Sequence, residues 1–238
     1  MIYFSLAAVA MAGVIHRISG LGFALAAIPL LSVAYGPTSG TSLGLILGTC
    51  VSVVVLATTW RSVSMAMTAL LTLPGLLLIP AGLWTARHVA QPPQSIALGL
   101  TLTVLLITQT RATPVARQGP VEVGVCGATS GFVHAVSGLS AAVLALGAIR
   151  GRWPQDQFVT SAQVVFIAFN VIVLAGREHT RSELLTSVVL IPALVLGVAA
   201  GSQVAARISS RTGRTVSVCV ALLAAVAIAG KGAVELIT

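Results

Sequence analysis

Charge is what this 238-residue sequence has least of. Asp, Glu, Lys and Arg make up 8% of it, against about 25% in a soluble domain. With 57% hydrophobic residues and a mean hydropathy of +1.04, the chain has too few charged side chains to cover a water-facing surface. That excludes a soluble enzyme and a disordered chain. Acidic residues are scarcer still. There are five, with Glu122, Glu183 and Glu235 near the ends of apolar runs and Asp156 and Glu178 in connections. Cation pumps and sodium-coupled carriers use carboxylates buried within their spans, so these classes are disfavoured. The three cysteines, Cys50, Cys126 and Cys219, are isolated and form no C-x-x-C pair. They indicate neither a zinc site nor a disulfide framework and read as buried small hydrophobes. No P-loop, H-E-x-x-H or G-x-S-x-G motif is present, so ATP hydrolysis, zinc peptidase and serine hydrolase chemistry have no foothold. No cofactor, no metal and no enzymatic activity are expected.

What the sequence has is apolar length. A membrane-spanning helix needs about 20 apolar residues, so the solvent to expect is the lipid bilayer. The apolar runs fall at 2–35, 41–60, 65–86, 94–110, 121–149, 158–176, 183–206 and 214–236. Between them lie short stretches with turn chemistry, such as Gly36-Pro37-Thr38-Ser39-Gly40, Gln91-Pro92-Pro93, Pro114 to Pro120 and Gly151-Arg152-Trp153-Pro154. In hydrocarbon every backbone polar group needs an internal partner, so these runs should be helices. The N-terminal run has no basic residues ahead of it and is expected to be a retained membrane segment, not a cleaved signal peptide. The net charge of +8 would suggest nucleic acid in a soluble protein. Here the basic residues sit mainly in connections, where they set membrane orientation, and no nucleic-acid partner is expected.

Two runs are too long. Residues 2–35 as one helix would measure about 51 Å at 1.5 Å per residue, against a hydrocarbon core about 30 Å thick. Runs 2–35 and 121–149 each carry a Gly/Ser break near the middle, and the breaks are copies of one another. Gly13-Val14-Ile15-His16-Arg17-Ile18-Ser19-Gly20-Leu21 aligns without a gap on Gly131-Phe132-Val133-His134-Ala135-Val136-Ser137-Gly138-Leu139. Pro74 and Pro192 pair at the same spacing. The chain thus divides into a first transmembrane repeat over 1–112, a linker over 113–118 and a second repeat over 119–238, forming one integral membrane domain. Duplicated halves with interrupted helices are a pattern of secondary transporters.

Two topologies are open. If every run crosses once, the protein has eight simple spans with parallel repeats. The connection charges then divide six against six: Arg61, Arg111, Arg117, Arg177, Arg181 and Lys231 opposite Arg87, Arg150, Arg152, Arg207, Arg211 and Arg214. If runs 2–35 and 121–149 fold back at their breaks, the protein is an all-α polytopic membrane protein of two inverted repeats. Each repeat is then a broken hairpin helix plus three spanning helices. In that case Arg87, Arg177, Arg181 and Lys231 lie on one side and the other eight on the opposite side. The positive-inside rule favours the asymmetric arrangement, with both termini outside.

The polar residues within the runs are the candidate substrate-binding set. Arg17 is the one basic residue well inside an apolar run. Its partner could be an anion, or it could snorkel to an interface. His16 and His134 recur beside the breaks and could contact substrate, move protons or pair freed backbone. Ser19, Gly20 and Gly22 form the first break, and Ser137, Gly138 and Ser140 the second. A helix restarting after a break aims its N–H groups and positive dipole end at the break, which suits an anion. Asn170, the only Asn, and Gln163 could line a path or join helices. Gly44-x-x-x-Gly48, Gly127-x-x-x-Gly131 and Gly197-x-x-x-Gly201 read as tight helix contacts. An exposed small-residue face would also allow a homodimer.

The stretch Gly13 to Leu31, GVIHRISGLGFALAAIPLL, together with GFVHAVSGLSAAVLAL in the second half, resembles the TauE/SafE family of sulfite exporters. Gly13, Gly20, Gly22, Phe23, Pro29 and Leu30 fit the family's glycine-rich pattern, as do Gly131 and Gly138. Many members have a denser glycine run, where this chain has Phe23 in one half and Ser140-Ala141 in the other. The resemblance covers nearly the whole chain. It implies a multi-pass carrier of the bacterial cytoplasmic membrane whose substrate is a small sulfur-containing anion, such as sulfite, sulfoacetate or another organosulfonate. Taken with the repeat, the expectation is alternating access around a site near the midplane where the breaks meet. A passive anion channel, a carrier of another solute and a non-transporting membrane subunit are the alternatives.

Overall fold

The computed structural model describes residues 1–113, 118–178 and 180–205. Beyond these it describes 219, 222, 223, 225–227, 229, 230 and 232–234. Among the described residues there is no strand, and the chain is a succession of helices. They are α1 (Ile2–Ser19), α2 (Gly22–Tyr35), α3 (Pro37–Thr59), α4 (Met65–His88) and α5 (Gln91–Arg111). The second half supplies α6 (Pro120–Ser137), α7 (Ser140–Gly151), α8 (Gln155–Ala175) and α9 (Arg181–Ala205). Further helical residues lie between 219 and 234. The run expected at 214–236 falls largely outside the described residues. So do linker residues 114–117, the orientation charges Arg117, Arg207, Arg211, Arg214 and Lys231, and Glu235.

Among the described residues, five helices are long and apolar enough to cross a membrane: Ile2–Ser19, Pro37–Ser62, Met65–His88, Gln155–Ala175 and Arg181–Val204. The second of these runs from α3 through a single 3-10 turn at Trp60–Ser62. The chain is an all-α polytopic membrane protein. Its surface agrees with a lipid solvent. On α9, Leu184, Leu185, Val188, Val189, Val195 and Leu196 are all exposed, at the i, i+4, i+7 spacing of one helix face. Trp60, in the 3-10 turn ahead of α4, and Trp84, in the last turns of α4, are both exposed, and the helical stretch between them, about 30 Å from Met65 to Trp84, matches the hydrocarbon thickness. Trp residues favour that interfacial level. Trp60 carries the Arg61 guanidinium over its ring at 5.5 Å, and Trp84 stacks on His88 at 4.4 Å.

The helices begin earlier than the apolar runs. Pro37 occupies the first turn of α3, where its missing N–H leaves nothing unpaired, so the expected Gly36–Gly40 turn shrinks to Gly36, at φ 83°. Gln91-Pro92-Pro93 likewise open α5, and Asp156, expected in a connection, lies in the first turn of α8. A carboxylate there complements the helix dipole. Ahead of α9, Thr180 N–H donates to Glu183 Oε2 at 3.2 Å and Glu183 N–H to Thr180 Oγ1 at 3.3 Å, a reciprocal capping box. Cys219 is exposed, not buried, which a thiol's apolar character permits in lipid.

The described residues form two compact units that do not coincide with the two sequence halves. The first takes residues from 1–47, 89–103 and 179–238; the second takes 48–88 and 104–178. In the first unit α1 packs on α9. A Cβ on Gly197 would strike Ala10 backbone, and one on Gly201 would lie 2.9 Å from Val14 Cα, so the two helices run parallel. In the second unit α6 packs on α4 the same way. A Cβ on Gly127 would strike Leu71 backbone, and one on Gly131 the backbone of Gly75. Glycine lets each pair approach backbone to backbone, the contact that dispersion favours where lipid is as apolar as the helices.

Gly131→Ala is therefore expected to lower the apparent melting temperature in detergent by several degrees, since overpacking costs about 1–3 kcal/mol. Gly124→Ala on the same helix, whose Cβ would meet only Pro74 Cγ at 3.8 Å, should leave it unchanged or raise it. Equal melting shifts for the two variants would show that close helix approach is not what Gly131 provides.

Candidate functional site

Each position of the duplicated motif has a structural reason. Its first glycine is a packing contact. A Cβ on Gly13 would lie 3.0 Å from Val198 N and 3.1 Å from Leu194 O on α9, while Gly131 abuts α4. Its second glycine ends the helix. Gly20 (φ 80°) and Gly138 (φ 73°) adopt the left-handed conformation that only glycine enters freely. Their N–H groups donate to His16 O at 2.7 Å and His134 O at 2.8 Å. The serine serves the freed carbonyls, with Ser19 Oγ donating to Ile15 O and Ser137 Oγ to Val133 O, both at 2.8 Å. Ser19 Oγ also accepts Gly22 N–H at 2.9 Å, joining the two sides of the first break.

The helices that restart after the breaks are short. α2 has 14 residues and α7 has 12, or about 21 and 18 Å at 1.5 Å per residue. Neither spans the hydrocarbon alone, and each packs against the helix before it.

The second break carries a connected polar network inside the second unit. His134 is 2% exposed. Its Nδ1 lies 2.6 Å from Ser140 Oγ and its Nε2 lies 2.8 Å from Asn170 Oδ1. Asn170 Nδ2 in turn donates to Thr49 Oγ1 at 2.9 Å. With Oδ1 accepting, the neutral imidazole donates from Nε2 and accepts the Ser140 hydroxyl at Nδ1. Four helices, α3, α6, α7 and α8, are thereby tied together. The Phe169 ring lies 5.5 Å from the His134 ring, seated where a Cβ on Gly75 would otherwise project. Two further contacts fix the corner. Arg177 Nη2 donates to Ala135 O at 2.7 Å, and Gln109 Nε2 donates to Ala142 O at 2.8 Å.

The first break is placed differently. His16 is 4% exposed, and among the described residues neither ring nitrogen has a hydrogen-bond partner. Its ring meets Phe23, in the first turn of α2, edge-on at 6.5 Å. Arg17 lies in the last turn of α1, with its side chain exposed and its Cβ against Gly201. Gln163 is fully buried and donates to Val159 O one turn back on its own helix. Of the candidate residues, His134, Ser140 and Asn170 are thus brought into direct contact, and Ser19 with Gly22. Thr49, Arg177 and Gln109 complete the second corner without having been singled out as binding residues. Among the described residues no three His, Cys, Asp or Glu side chains group to hold a metal ion.

A broken helix with a left-handed glycine, a buried histidine and a capping serine, present twice, is the local structure that the glycine-rich motif specifies. The family model described as sulfite exporter TauE/SafE matches residues 5–228, both breaks included. The chain belongs to the TauE/SafE sulfite exporter family. This is a family of membrane transporters, not of enzymes, and it agrees with the resemblance drawn from the motif. No curated protein and no solved structure matches the chain. In this TauE/SafE member the second corner ties α3, α6, α7 and α8 together through side-chain hydrogen bonds.

Asn170→Leu and His134→Leu should each lower the melting temperature in detergent, and the double variant should lose less than the two losses added together. A coupling of about 0.5–2 kcal/mol is expected for an interhelical pair of this kind. Strict additivity in the double-mutant cycle would show that the two side chains do not act through one another.

Proposed function

We propose that this protein is a secondary transporter that moves a small sulfur-containing anion, such as sulfite, sulfoacetate or another organosulfonate, across the bacterial cytoplasmic membrane by alternating access. The observation that carries this reading is the duplicated broken helix. Each break stops a helix with a left-handed glycine and starts another whose first-turn N–H groups have no carbonyl partner within the helix. Such ends hold anions with no need of lysine. Family membership supports transport and a sulfur oxyanion as the substrate class.

The fold-back topology of two inverted repeats fits the lengths of α2 and α7, which are too short to complete a crossing, and the charge distribution of the connections. A histidine beside the breaks would serve as a hydrogen-bonding group or as the proton-coupling element. Among the described residues no carboxylate competes for that role, since Glu122, Asp156 and Glu183 lie in first turns at helix ends and Glu178 in a connection.

The test is flux into proteoliposomes with sulfite, sulfate, sulfoacetate, taurine and acetate, each with and without a pH gradient. Saturable uptake of a sulfur anion, accelerated by the same anion on the opposite side, is expected. Unsaturable flux without trans-acceleration would make the protein a channel. No flux of any panel member from folded protein would remove sulfur anions as the substrate class.

A further inference from the structure

We propose that the two breaks divide their labour: the first presents His16 as the anion-binding hydrogen-bond donor at the N-terminal turn of α2, and the second is a fixed joint that binds nothing. This rests on the anion-transport reading and assigns its binding group.

The motif copies have the same backbone and opposite surroundings. At the second break, residues 137–140 are buried, both ring nitrogens of His134 are engaged, and Arg177 holds an α6 carbonyl. At the first break, Ser19, Gly20 and Leu21 are only partly buried, and among the described residues the nitrogens of the buried imidazole beside them make no hydrogen bond. Buried polar groups are paired in the great majority of cases, and an unpaired one typically costs about as much as a hydrogen bond contributes. An imidazole kept that way in a hydrocarbon environment has a use outside the fold.

The sequence difference between the copies accounts for the asymmetry. At the motif's spacing, Gly22 stands where the second copy has Ser140, Ser52 where it has Asn170, Ile167 where it has Thr49 and Thr59 where it has Arg177. Each group that immobilises His134 has a counterpart that is absent or chemically altered on the His16 side.

Among the described residues, the helices α2 and α9 packed against α1 supply no competing charge near His16. On α2 the polar side chains are Ser32 and Tyr35, and the Tyr35 hydroxyl accepts from Ser5 Oγ. On α9 the ionisable groups are Arg181 and Glu183. The parallel register of Gly197 with Ala10 and Gly201 with Val14 puts Glu183 about 30 Å along the helix from the level of His16. The charged neighbour is Arg17, next in sequence and exposed, and its sign favours an anion. The His16 ring lies against Phe23, so a donor from His16 and the positive end of α2 converge on one small oxyanion. Leu21, at the N-cap of α2, supplies no side-chain cap; Ser19 Oγ accepts the Gly22 N–H, and the anion would take the N–H groups that follow it in the first turn.

The experiment uses the full chain with sulfite as the probe. Wild type, His16→Ala, His16→Gln, His16→Leu and His134→Ala are compared by melting temperature and by sulfite flux in proteoliposomes. Protein labelled with 15N-histidine is titrated with sulfite, with acetate as the control anion. His16→Ala should raise KM for sulfite at least tenfold, with His16→Gln, which keeps a donor, recovering part of it. His16→Leu should lose sulfite saturation while melting no lower than wild type, whereas His134→Ala should melt several degrees lower. Sulfite should shift the His16 ring nitrogen signal and leave that of His134 in place. Unchanged KM in His16→Ala, a melting loss in His16→Leu equal to that of His134→Ala, or a sulfite shift confined to His134 would each overturn the assignment. If wild type carries no sulfur anion, the transport reading fails first. The nitrogen shifts across the same anion panel then decide the His16 assignment separately, and a panel that leaves His16 unmoved overturns it.

Discussion

A helix interrupted inside a bilayer must re-pair the backbone groups that the interruption frees, because hydrocarbon supplies no partner. Much of the described structure follows from meeting that demand twice. The glycine turns left-handed and gives its N–H to the histidine carbonyl, and the serine hydroxyl reaches back one turn. The next helix restarts within two residues. At Gly20 the motif's own serine pairs both sides of the break, through Ile15 O and Gly22 N–H. At Gly138 the repair extends outward through Arg177, Gln109 and the His134–Asn170–Thr49 chain until it engages helices from both sequence halves. The same local rule thus works with two different sets of neighbours.

The second organising contact is the parallel pairing of helices through glycine. In water, burying leucine would drive such pairs together. In lipid that incentive is absent, and only closeness of fit remains. Gly13, Gly197 and Gly201 serve α1 with α9, and Gly75, Gly127 and Gly131 serve α4 with α6. One face of α9, with Leu184, Leu185, Val188, Val189, Val195 and Leu196, is turned outward, while Leu190 and Leu194 are buried. Phe169 is among the largest fully buried side chains. It fills the space between α4 and the His134 ring, so the packing of the second unit and its polar network share a side chain.

Much of this was legible from the sequence. Punctuation by glycine and proline located the breaks to the residue, and apolar runs located the helices to within a few residues. Prolines were read as turns where Pro37 and Pro92-Pro93 instead open helices, because a first-turn proline and a turn proline look alike in sequence. The candidate site was less legible. His16 and His134 are interchangeable in the motif, and only their distant neighbours separate them: Thr49 lies 121 residues from Asn170 and Arg177 lies 42 from Ala135. Spacing along one helix carries no information about such partners. The sequence read Arg17 as an intramembrane or snorkelling charge, and the structure places it in the exposed last turn of α1. The membership of the two compact units was hidden for the same reason, since a repeat reveals which segments are alike and not which ones touch.

That mixed membership has a consequence for how the protein is made. Helices leave the ribosome in order, and α6 emerges only about 30 residues after α4 is complete, within a few seconds at 5–20 residues per second. The partner of α1 emerges last among the long helices, about 160 residues later, a wait of roughly ten to thirty seconds. During that interval α1 sits in the membrane with the glycine face that α9 will cover still open. An early helix held open for a late one makes assembly of the first unit depend on completed synthesis, so a chain truncated before α9 would leave an orphaned N-terminal helix for membrane quality control to find.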